Sequence, residues 1–483
     1  MSGGPRIAII GAGAGGICVA VLLQRAGFSD LTLLERGGGP GGTWRANTYP
    51  GAACDVPSHL YSFSFAPKRD WSRVYAGQAE ILAYLNDVVD SFALRLRIEA
   101  GNGVASLRFD ESAGCWRVTD DRGDERVFDV VISAVGQLAR PAYPEIPGLA
   151  SFAGPAFHTA RWDGSCDLAG RRVAVVGAAA SAVQAVPEIA GVAAGIDVYQ
   201  RTPNWTSPRD DRAYSAVEMA RHRRPGAVWL SRQRMFLAHE RGFASYARRG
   251  RAAKALQQQA SAHLEAQVGD PELRARLTPG YPIGCKRVLV TDDWYPALLR
   301  DDVELVTTPI AAVEPDGIRM TDGTLRPADV LVLATGFRTA DPLAEIPVVG
   351  RAGRALADAW RDGAEAHLGI TVAGYPNLFL LYGPNTNLGH SSILFMIECQ
   401  SRLIVRALQH TARRRARTIE VRASSQARSN ARLQRSLARS SWAGGCQSWY
   451  RGPDGRITQN WSGSCVDYWL RTRRLAARDY VFA

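Results

Sequence analysis

Short apolar runs alternate along this chain with longer amphipathic stretches, and the first such run leads directly into a glycine-rich turn. Residues 6–10, RIAII, predict a buried strand, and the turn GAGAGG (11–16) follows with its glycines spaced as GxGxxG. A helix is predicted over about residues 15–26. A second strand is predicted within LTLLER (31–36) and ends at Glu35. A strand, a glycine turn, a helix and an acid in this order strongly indicate dinucleotide binding.

The same pattern repeats later in the chain with a weaker turn. The run RVAVVGAAASAVQ has Gly177, Ala179 and Ala182 at the three glycine positions, and a strand IDVYQR then ends at Arg201. Arg201 lies 24 residues after the first glycine of its unit, the same spacing that Glu35 has in the first unit. The equal spacing predicts a second dinucleotide-binding unit.

The two units end their second strands with opposite charges, which predicts different nucleotides. Glycines let the backbone approach a pyrophosphate at the positive end of the following helix. Glu35 suits the plain ribose diol of FAD, because a carboxylate repels a 2′-phosphate. Arg201 pairs with a phosphate and favours NADPH over NADH. The alternative for Arg201 is an exposed charge at the end of a strand.

Further patterns order the chain into domains. DVVISAVG (129–136) and DVLVLATG (329–336) each predict the last strand of a nucleotide-binding domain, and residues 102–128 alternate as antiparallel hairpins do. We predict an α/β fold with two dinucleotide-binding, Rossmann-like domains, in which an FAD domain is interrupted by an NADPH domain carrying a helical insertion. The predicted parts are 1–145 (FAD domain, first part), 146–211 (NADPH domain, first part), 212–280 (helical insertion), 281–338 (NADPH domain, second part) and 339–483 (FAD domain, return, and C-terminal segment).

Composition argues against several other classes of protein. The 58 basic and 46 acidic residues give a net charge of +12, and three of the basic residues are lysines. Much of the excess lies in arginine-rich helical stretches, which we interpret as solvated faces, since no nucleic-acid-binding module accompanies them. The eight cysteines include no CxxC pair and no zinc spacing, so we expect reduced thiols, no metal site and a cytoplasmic protein. No stretch of the sequence reads as a membrane span.

The segment FAGPAFHTARWD resembles the fingerprint of the class B flavoprotein monooxygenases, and within them of the type I Baeyer–Villiger monooxygenases. The matching positions are Phe152, Gly154, His158, Thr159, Trp162 and Asp163. The segments 41–65, 284–298 and 334–343 also match, and YGPNTNLGHSSILFMIE with SWYRGPDGRITQNW resembles the hydroxyacetophenone monooxygenase-like branch most closely. The resemblance covers nearly the whole chain. Two positions depart from the pattern: Ala179 replaces the middle glycine of the second turn, and Thr48 stands where members often have Arg.

The resemblance implies an enzyme that uses FAD, NADPH and O2 to insert one oxygen atom beside a ketone carbonyl through a C4a-peroxyflavin. This chemistry needs a positive charge beside the peroxide anion and the developing alkoxide, and arginine provides it without giving up its proton. By resemblance Arg287 has this role, Asp55 holds its guanidinium, and Arg201, Thr202 and Lys286 contact NADPH. The other implied cofactor-binding residues are Gly11, Gly13, Gly16, Glu35, Thr43, Trp44, Asp55, Tyr61, Val104, Gln137, Gly177, Ser181 and Gln184.

The fingerprint joins the two nucleotide domains in that family. His158 is therefore expected to be a hinge that couples NADPH binding to domain rotation, and Trp162 to pack at the inter-domain seam. The alternative for His158 is a buried core histidine. His390, in NLGHSS, is expected to line the substrate pocket.

Three other functions stay open on these residues. The same flavin chemistry oxygenates sulfur or amine nitrogen, and products and pH dependence separate that reaction from ketone oxidation. A flavoprotein reductase requires a thiol pair near the flavin, and neither Cys18 nor Cys54 has a neighbouring thiol in the sequence. A redox-silent nucleotide-binding module would not be yellow when purified. The expected substrates are O2 and a ketone, and the resemblance to the hydroxyacetophenone monooxygenase-like branch favours an aromatic or bulky ketone. We expect a monomer or a homodimer that binds neither nucleic acid nor a membrane.

Overall fold

The computed structural model describes residues 4–339, 343–446, 448–452 and 454–483. Its strands, in chain order, are β1 (Ile7–Ile10), β2 (Leu31–Glu35), β3 (Ile98–Ala100), β4 (Val104–Asp110), β5 (Cys115–Asp120), β6 (Glu125–Phe128), β7 (Val130–Ser133), β8 (Ala156–His158), β9 (Arg172–Val176), β10 (Gly195–Tyr199), β11 (Thr206–Ser207), β12 (Leu289–Val290), β13 (Val303–Val306), β14 (Ile310–Glu314), β15 (Gly317–Met320), β16 (Leu325–Pro327), β17 (Val330–Leu333), β18 (Val348–Val349), β19 (Leu378–Leu380), β20 (Ile419–Val421) and β21 (Tyr480–Phe482).

The helices lie mainly on the faces of the sheets and in one long insertion. They are α1 (Ala14–Arg25), α2 (Thr43–Ala46), α3 (Gln78–Ser91), α4 (Ala180–Ile189), α5 (Ala216–His222), α6 (Ala227–Gly242), α7 (Ala244–Ala247), α8 (Arg251–Gln267), α9 (Pro271–Leu277), α10 (Trp294–Leu298), α11 (Leu356–Ala359), α12 (Ile393–Arg413), α13 (Ala423–Leu437) and α14 (Cys465–Thr472).

The first parallel sheet has the strand order β19–β7–β1–β2–β3. Its centre is β1, where Ile7 lies beside Leu31 of β2 and Val130 of β7. All four residues of β1 are buried, as expected for a parallel strand that is covered on both faces. Helix α1 follows β1 and packs against α12 from the C-terminal part of the chain.

The second parallel sheet repeats this arrangement in the order β13–β10–β9–β17–β8. Val173 of β9 lies beside Ile196 of β10 and Val330 of β17. The predicted α/β fold with two sheets of this type is therefore confirmed. The strand predicted to run to Arg201 ends earlier, at Tyr199, so Arg201 stands in the loop beyond the sheet.

Additional elements decorate the two sheets. The antiparallel hairpins predicted for residues 102–128 are present as β4, β5 and β6. Helices α5 to α9 form the insertion between β11 and β12. Arg232 of α6 is buried and donates hydrogen bonds to the carbonyls of His59 and Ser62 at 3.0 and 2.6 Å, which anchors the insertion to the first domain.

Two further observations concern the expectations from composition. Across the described residues, no helix has both the length and the apolar character needed to cross a bilayer. Cys285 and Cys446 form a disulfide, so the expectation that the cysteines are reduced thiols is wrong for this pair. The two residues are 161 positions apart, and spacing along the chain gives no sign of a pairing that tertiary structure creates.

Candidate active site

A cavity of about 1980 Å³ opens between the two parallel sheets and is lined by both glycine turns. Every residue predicted to bind a cofactor or to act in catalysis lines this cavity, with the exception of Gly16. Gly16 lies behind the turn, where an added Cβ would be 1.9 Å from the carbonyl oxygen of Gly11. Its lack of a side chain allows α1 to begin directly under the turn.

The two turns have the same local geometry. Gly11 has a φ of +101° and Gly177 a φ of +112°, both in the region that side chains disfavour. A Cβ would lie 2.8 Å from the oxygen of Ala134 at Gly11, and 2.4 Å from that of Ala334 at Gly177. Each turn therefore leaves its backbone exposed to the cavity at the start of a helix, which is the geometry that a pyrophosphate requires.

Ala179, the departure in the second turn, is compatible with this geometry. It precedes α4 with φ −103° and ψ −160°, an extended conformation that any residue adopts. The methyl group therefore introduces no backbone strain.

Glu35 lies at the end of β2, beside the first turn. Its carboxylate accepts hydrogen bonds from the backbone N–H groups of Ala12 at 2.7 Å and Gly37 at 2.6 Å. These bonds fix the carboxylate at the cavity wall, and each oxygen has a second lone pair for a ribose hydroxyl.

The first-domain wall of the cavity is aromatic. Trp44 Nε1 donates to the hydroxyl of Tyr61 at 3.0 Å, and Gln137 Nε2 donates to the carbonyl of Tyr382 at 3.2 Å. Thr43 and Val104 lie on the same wall.

A second group of predicted residues meets at the second-domain wall of the cavity. Lys286 Nζ donates to Thr202 Oγ1 at 2.9 Å, although the two residues are 84 positions apart. Burial, and then the charge of Arg201, lower the pKa of Lys286. Within the described part of the chain, neither Lys286 nor Arg201 forms an ion pair with a carboxylate. Two close cations without an anion fit the binding of a phosphate.

Asp55 and Arg287 form an ion pair that lines the cavity. Arg287 Nε donates to Asp55 Oδ2 at 3.1 Å, and Nη2 donates to the same oxygen. The side chain of Arg287 is 35% exposed and that of Asp55 is 30% exposed, and the exposed part of each faces the cavity. Burial alone would raise the pKa of Asp55, but the charge and hydrogen bonds of Arg287 outweigh it and lower the pKa. The charge of Asp55 in turn raises the pKa of Arg287, so both groups stay ionised.

The loop that carries Asp55 also contacts the second domain. The Tyr49 hydroxyl donates to Gln184 Oε1 at 2.8 Å, and Gln184 Nε2 donates to the carbonyl of Ala53 at 3.0 Å. Ser181 and Gln184 both lie on α4, so this helix borders the cavity and holds the loop of Asp55.

The fingerprint residues lie outside the cavity, at the junction of the domains. Ala156–His158 is the edge strand β8 of the second sheet, so the fingerprint belongs partly to that sheet rather than to a free linker. His158 is buried and packs against Tyr143 and Phe337. Tyr143 and Phe337 lie on the two segments that connect the domains. These segments pair through an isolated β-bridge between Pro141 and Phe337.

The remaining fingerprint residues have structural contacts. The ring of Trp162 packs against Phe157, with ring centres 5.0 Å apart. An added Cβ at Gly154 would lie 2.4 Å from the oxygen of Asp329. Phe152 packs against the second-domain core, and Thr159 is buried.

The expectation that His390 lines the substrate pocket is wrong. Its side chain is 1% exposed and bonds to Glu240, with Nε2 and Oε1 3.3 Å apart. Glu240 also accepts the backbone N–H groups of Cys465 and Val466 at 2.9 and 3.1 Å. Glu240 therefore joins α6 to the start of α14, and His390 bonds to this carboxylate behind the cavity wall.

Sequence reasoning missed several residues that line the cavity or border Arg287. Tyr382, Asn387 and Trp449 line the cavity, and buried Tyr450 lies near enough to Arg287 for the guanidinium charge to act on the pKa of its phenol. The tail motif SWYRGPDGR contains Trp449 and Tyr450 and is the signal that could have indicated them. Tyr382 has a φ of +54°, which nothing in its local sequence predicts.

Comparisons with known proteins agree with this geometry. The family model described as pyridine nucleotide-disulphide oxidoreductase matches residues 8–224. A Baeyer-Villiger monooxygenase from Pseudomonas aeruginosa is 42% identical over 478 residues, covering 98% of this chain and 91% of that protein. A second, from Streptomyces coelicolor, is 43% identical and covers 98% and 92%. The crystal structure of OTEMO complexed with FAD and NADP superposes with a TM-score of 0.90 at 26% identity, covering 100% of both chains.

Proposed function

The chain belongs to the Baeyer–Villiger monooxygenase family, and we propose that its Asp55–Arg287 pair is the catalytic group of that reaction. The enzyme inserts one oxygen atom from O2 next to a ketone carbonyl and uses FAD and NADPH. When bound, FAD accepts hydride from NADPH and activates O2. The protein positions both nucleotides and the ketone and stabilises the negative charge that develops during oxygen transfer.

The observation that carries the proposal is the position of the ion pair. Asp55 and Arg287 are 232 residues apart, yet they meet in the cavity that both glycine turns line. A guanidinium that stays charged stabilises an oxyanion without donating its proton. Asp55 holds the guanidinium through Nε and Nη2, and the remaining N–H groups are left for the reacting oxygen atoms.

The two ends of the cavity suit the two nucleotides. Glu35 and the turn at Gly11 support binding of the FAD ribose and pyrophosphate. Arg201, Thr202 and Lys286 support binding of the NADPH 2′-phosphate, because two cations converge there beside a hydroxyl. The position of His158 between the domain crossings supports a hinge role during NADPH binding.

The proposed substrate is an aromatic or bulky ketone, as in the hydroxyacetophenone monooxygenase-like branch. The cavity walls include Tyr61, Leu388 and Trp449, which offer flat and apolar surfaces. We place the enzyme in the cytoplasm as a monomer or homodimer. The location is supported by the free thiols at six of its eight cysteines.

The proposal is tested by supplying isotopically labelled O2 to the FAD-loaded enzyme with NADPH and an aryl ketone. We expect the ester to contain one labelled oxygen atom. Arg287→Ala is expected to oxidise NADPH but to form at least about 100-fold less ester, the size of loss seen when an oxyanion-stabilising group is removed. Arg361→Ala, at a surface pair outside the cavity, is the matched control. Normal ester formation by Arg287→Ala would refute the assigned role.

A further inference from the structure

The disulfide between Cys285 and Cys446 joins two segments that border the cavity. Cys285 directly precedes Lys286 and Arg287 in the sequence. Cys446 lies in a segment that we call the C-terminal strap, defined as residues 441–446 and 448–450, whose Ser448 and Trp449 line the cavity. The bond therefore ties the segment of the catalytic arginine to one wall of the site.

The first part of the strap is held in place without the disulfide. Ser441 Oγ donates to the carbonyl of Ser245 at 3.0 Å. The buried ring of Trp442 stacks on Tyr246, with ring centres 5.8 Å apart. Both contacts attach the strap to the helical insertion and would survive reduction of the disulfide.

The part of the strap that lines the cavity depends on the disulfide. Among the residues that the structure describes, one covalent bond and one hydrogen bond join 445, 446, 448 and 449 to the chain outside 441–452. These are the disulfide itself and the backbone N–H of Cys446, which lies 3.2 Å from Cys285 Sγ. Beyond this part the chain is fixed again, since the N–H of Thr458 donates to the carbonyl of Tyr450 at 3.0 Å. Cleavage of the disulfide would free Trp449 between two anchored points.

The two sulfur atoms differ in accessibility. Cys285 is fully buried, whereas Cys446 is half-buried at the surface of the strap. A small reagent therefore reaches Cys446 first, and Cys285 is placed to complete the exchange.

We propose that Cys285 and Cys446 are a reversible redox-modification site, and that their disulfide holds the strap against the bound coenzyme. The inference rests on the proposed function, because it assigns this cavity to NADPH. Hydrogen peroxide is the oxidant: the Cys446 thiolate attacks one peroxide oxygen, which gives a sulfenic acid and releases the other oxygen as hydroxide. The hydroxide takes up the proton that the Cys446 thiol lost and becomes water. The Cys285 thiolate then forms the S–S bond and displaces the sulfenic oxygen as hydroxide, which takes up the proton lost from the Cys285 thiol and becomes a second water. A phosphine and water reverse the process, giving two thiols and the phosphine oxide.

The test is NADP⁺ affinity, measured by titration calorimetry on the FAD-loaded protein before and after treatment with a water-soluble phosphine. Intact mass confirms that each sample is oxidised or reduced. We expect reduction to weaken NADP⁺ binding roughly five-fold, the effect of ordering part of a short loop. Cys446→Ser should bind like the reduced protein and ignore the phosphine, and Cys166→Ser, a half-buried free cysteine away from the strap, should respond like the wild type.

Two results would overturn the proposal. One is equal NADP⁺ affinity in the oxidised and reduced wild-type protein, a comparison that needs no variant to fold. The other is failure of peroxide to restore the disulfide after reduction. Neither measurement involves ester formation, so an incorrect role for Arg287 would leave both readouts intact.

Discussion

Replacing Asp55 with asparagine removes one negative charge from the cavity and keeps nearly the same side-chain shape. In the wild type, Asp55 Oδ2 accepts two hydrogen bonds from Arg287, one of them at 3.1 Å from Nε. An asparagine oxygen can accept the same bonds but has no negative charge to attract the guanidinium, so the guanidinium is held less firmly. The variant therefore separates the presence of Arg287 from its positioning.

The size of the effect follows from the exposure of the pair. A hydrogen bond to a charged group contributes about 1.5–3 kcal/mol. The side chains of Arg287 and Asp55 are 35% and 30% exposed to the cavity, so screening reduces the loss to about 1–2 kcal/mol. A loss of that size corresponds to roughly 5- to 30-fold less ester formed per unit time.

The assay measures ester by gas chromatography and NADPH by absorbance in the same reaction. We expect Asp55→Asn to consume NADPH at near the wild-type rate while the ratio of ester to NADPH falls. Asp358→Asn, at an exposed pair outside the cavity, should keep the wild-type ratio. An unchanged ratio in Asp55→Asn would show that the carboxylate does not position Arg287.

Two other predictions address the coenzyme and the stability of the fold. Arg201→Ala should weaken NADPH binding by about 1–3 kcal/mol, because a contact to the charged 2′-phosphate is lost. The preference for NADPH over NADH should fall with it. An unchanged ratio of kcat/KM for the two coenzymes would contradict the role of Arg201 in binding the 2′-phosphate. Burial, and then the nearby charge of His222, lower the pKa of His59 to about 4. Between this value and the ordinary pKa of 6.5, the unfolded chain binds a proton at His59 that the folded chain excludes. The folded state therefore has its full stability above pH 6.5 and loses stability as the pH falls from 6.5 towards 4. Urea unfolding at pH 7 and pH 5 should show a smaller loss of stability in His59→Gln than in wild type, and equal losses would refute the buried neutral pair.

The parts of the fold that could be predicted are those encoded locally. The strand, turn and helix from Ile7 to Arg25 follow from an apolar run, glycines and an amphipathic stretch that are adjacent in the sequence. The second unit repeats this order, and equal spacing of Glu35 and Arg201 identified it despite the degenerate turn. Even there the strand end was misplaced by two residues, because propensity does not mark where pairing with a neighbour stops.

The parts that could not be derived from local pattern are the pairs formed across the fold. Asp55 and Arg287 are 232 residues apart, and family resemblance rather than spacing brought them together. The disulfide of Cys285 and Cys446 and the bond between His390 and Glu240 were missed for the same reason. Each joins segments from different domains, whose contacts depend on how the two sheets and the insertion pack.

One loop connects the coenzyme side of the cavity to its catalytic group. Gly51 has a φ of +74°, and a Cβ there would lie 2.3 Å from the backbone oxygen of Gln184, so the loop can approach α4 closely because this residue is glycine. Gln184 then holds the loop through Tyr49 and Ala53, and Asp55, two residues further on, holds Arg287. Since α4 begins at the turn proposed to bind NADPH, these contacts connect that turn to Arg287 through α4 and the loop of Asp55.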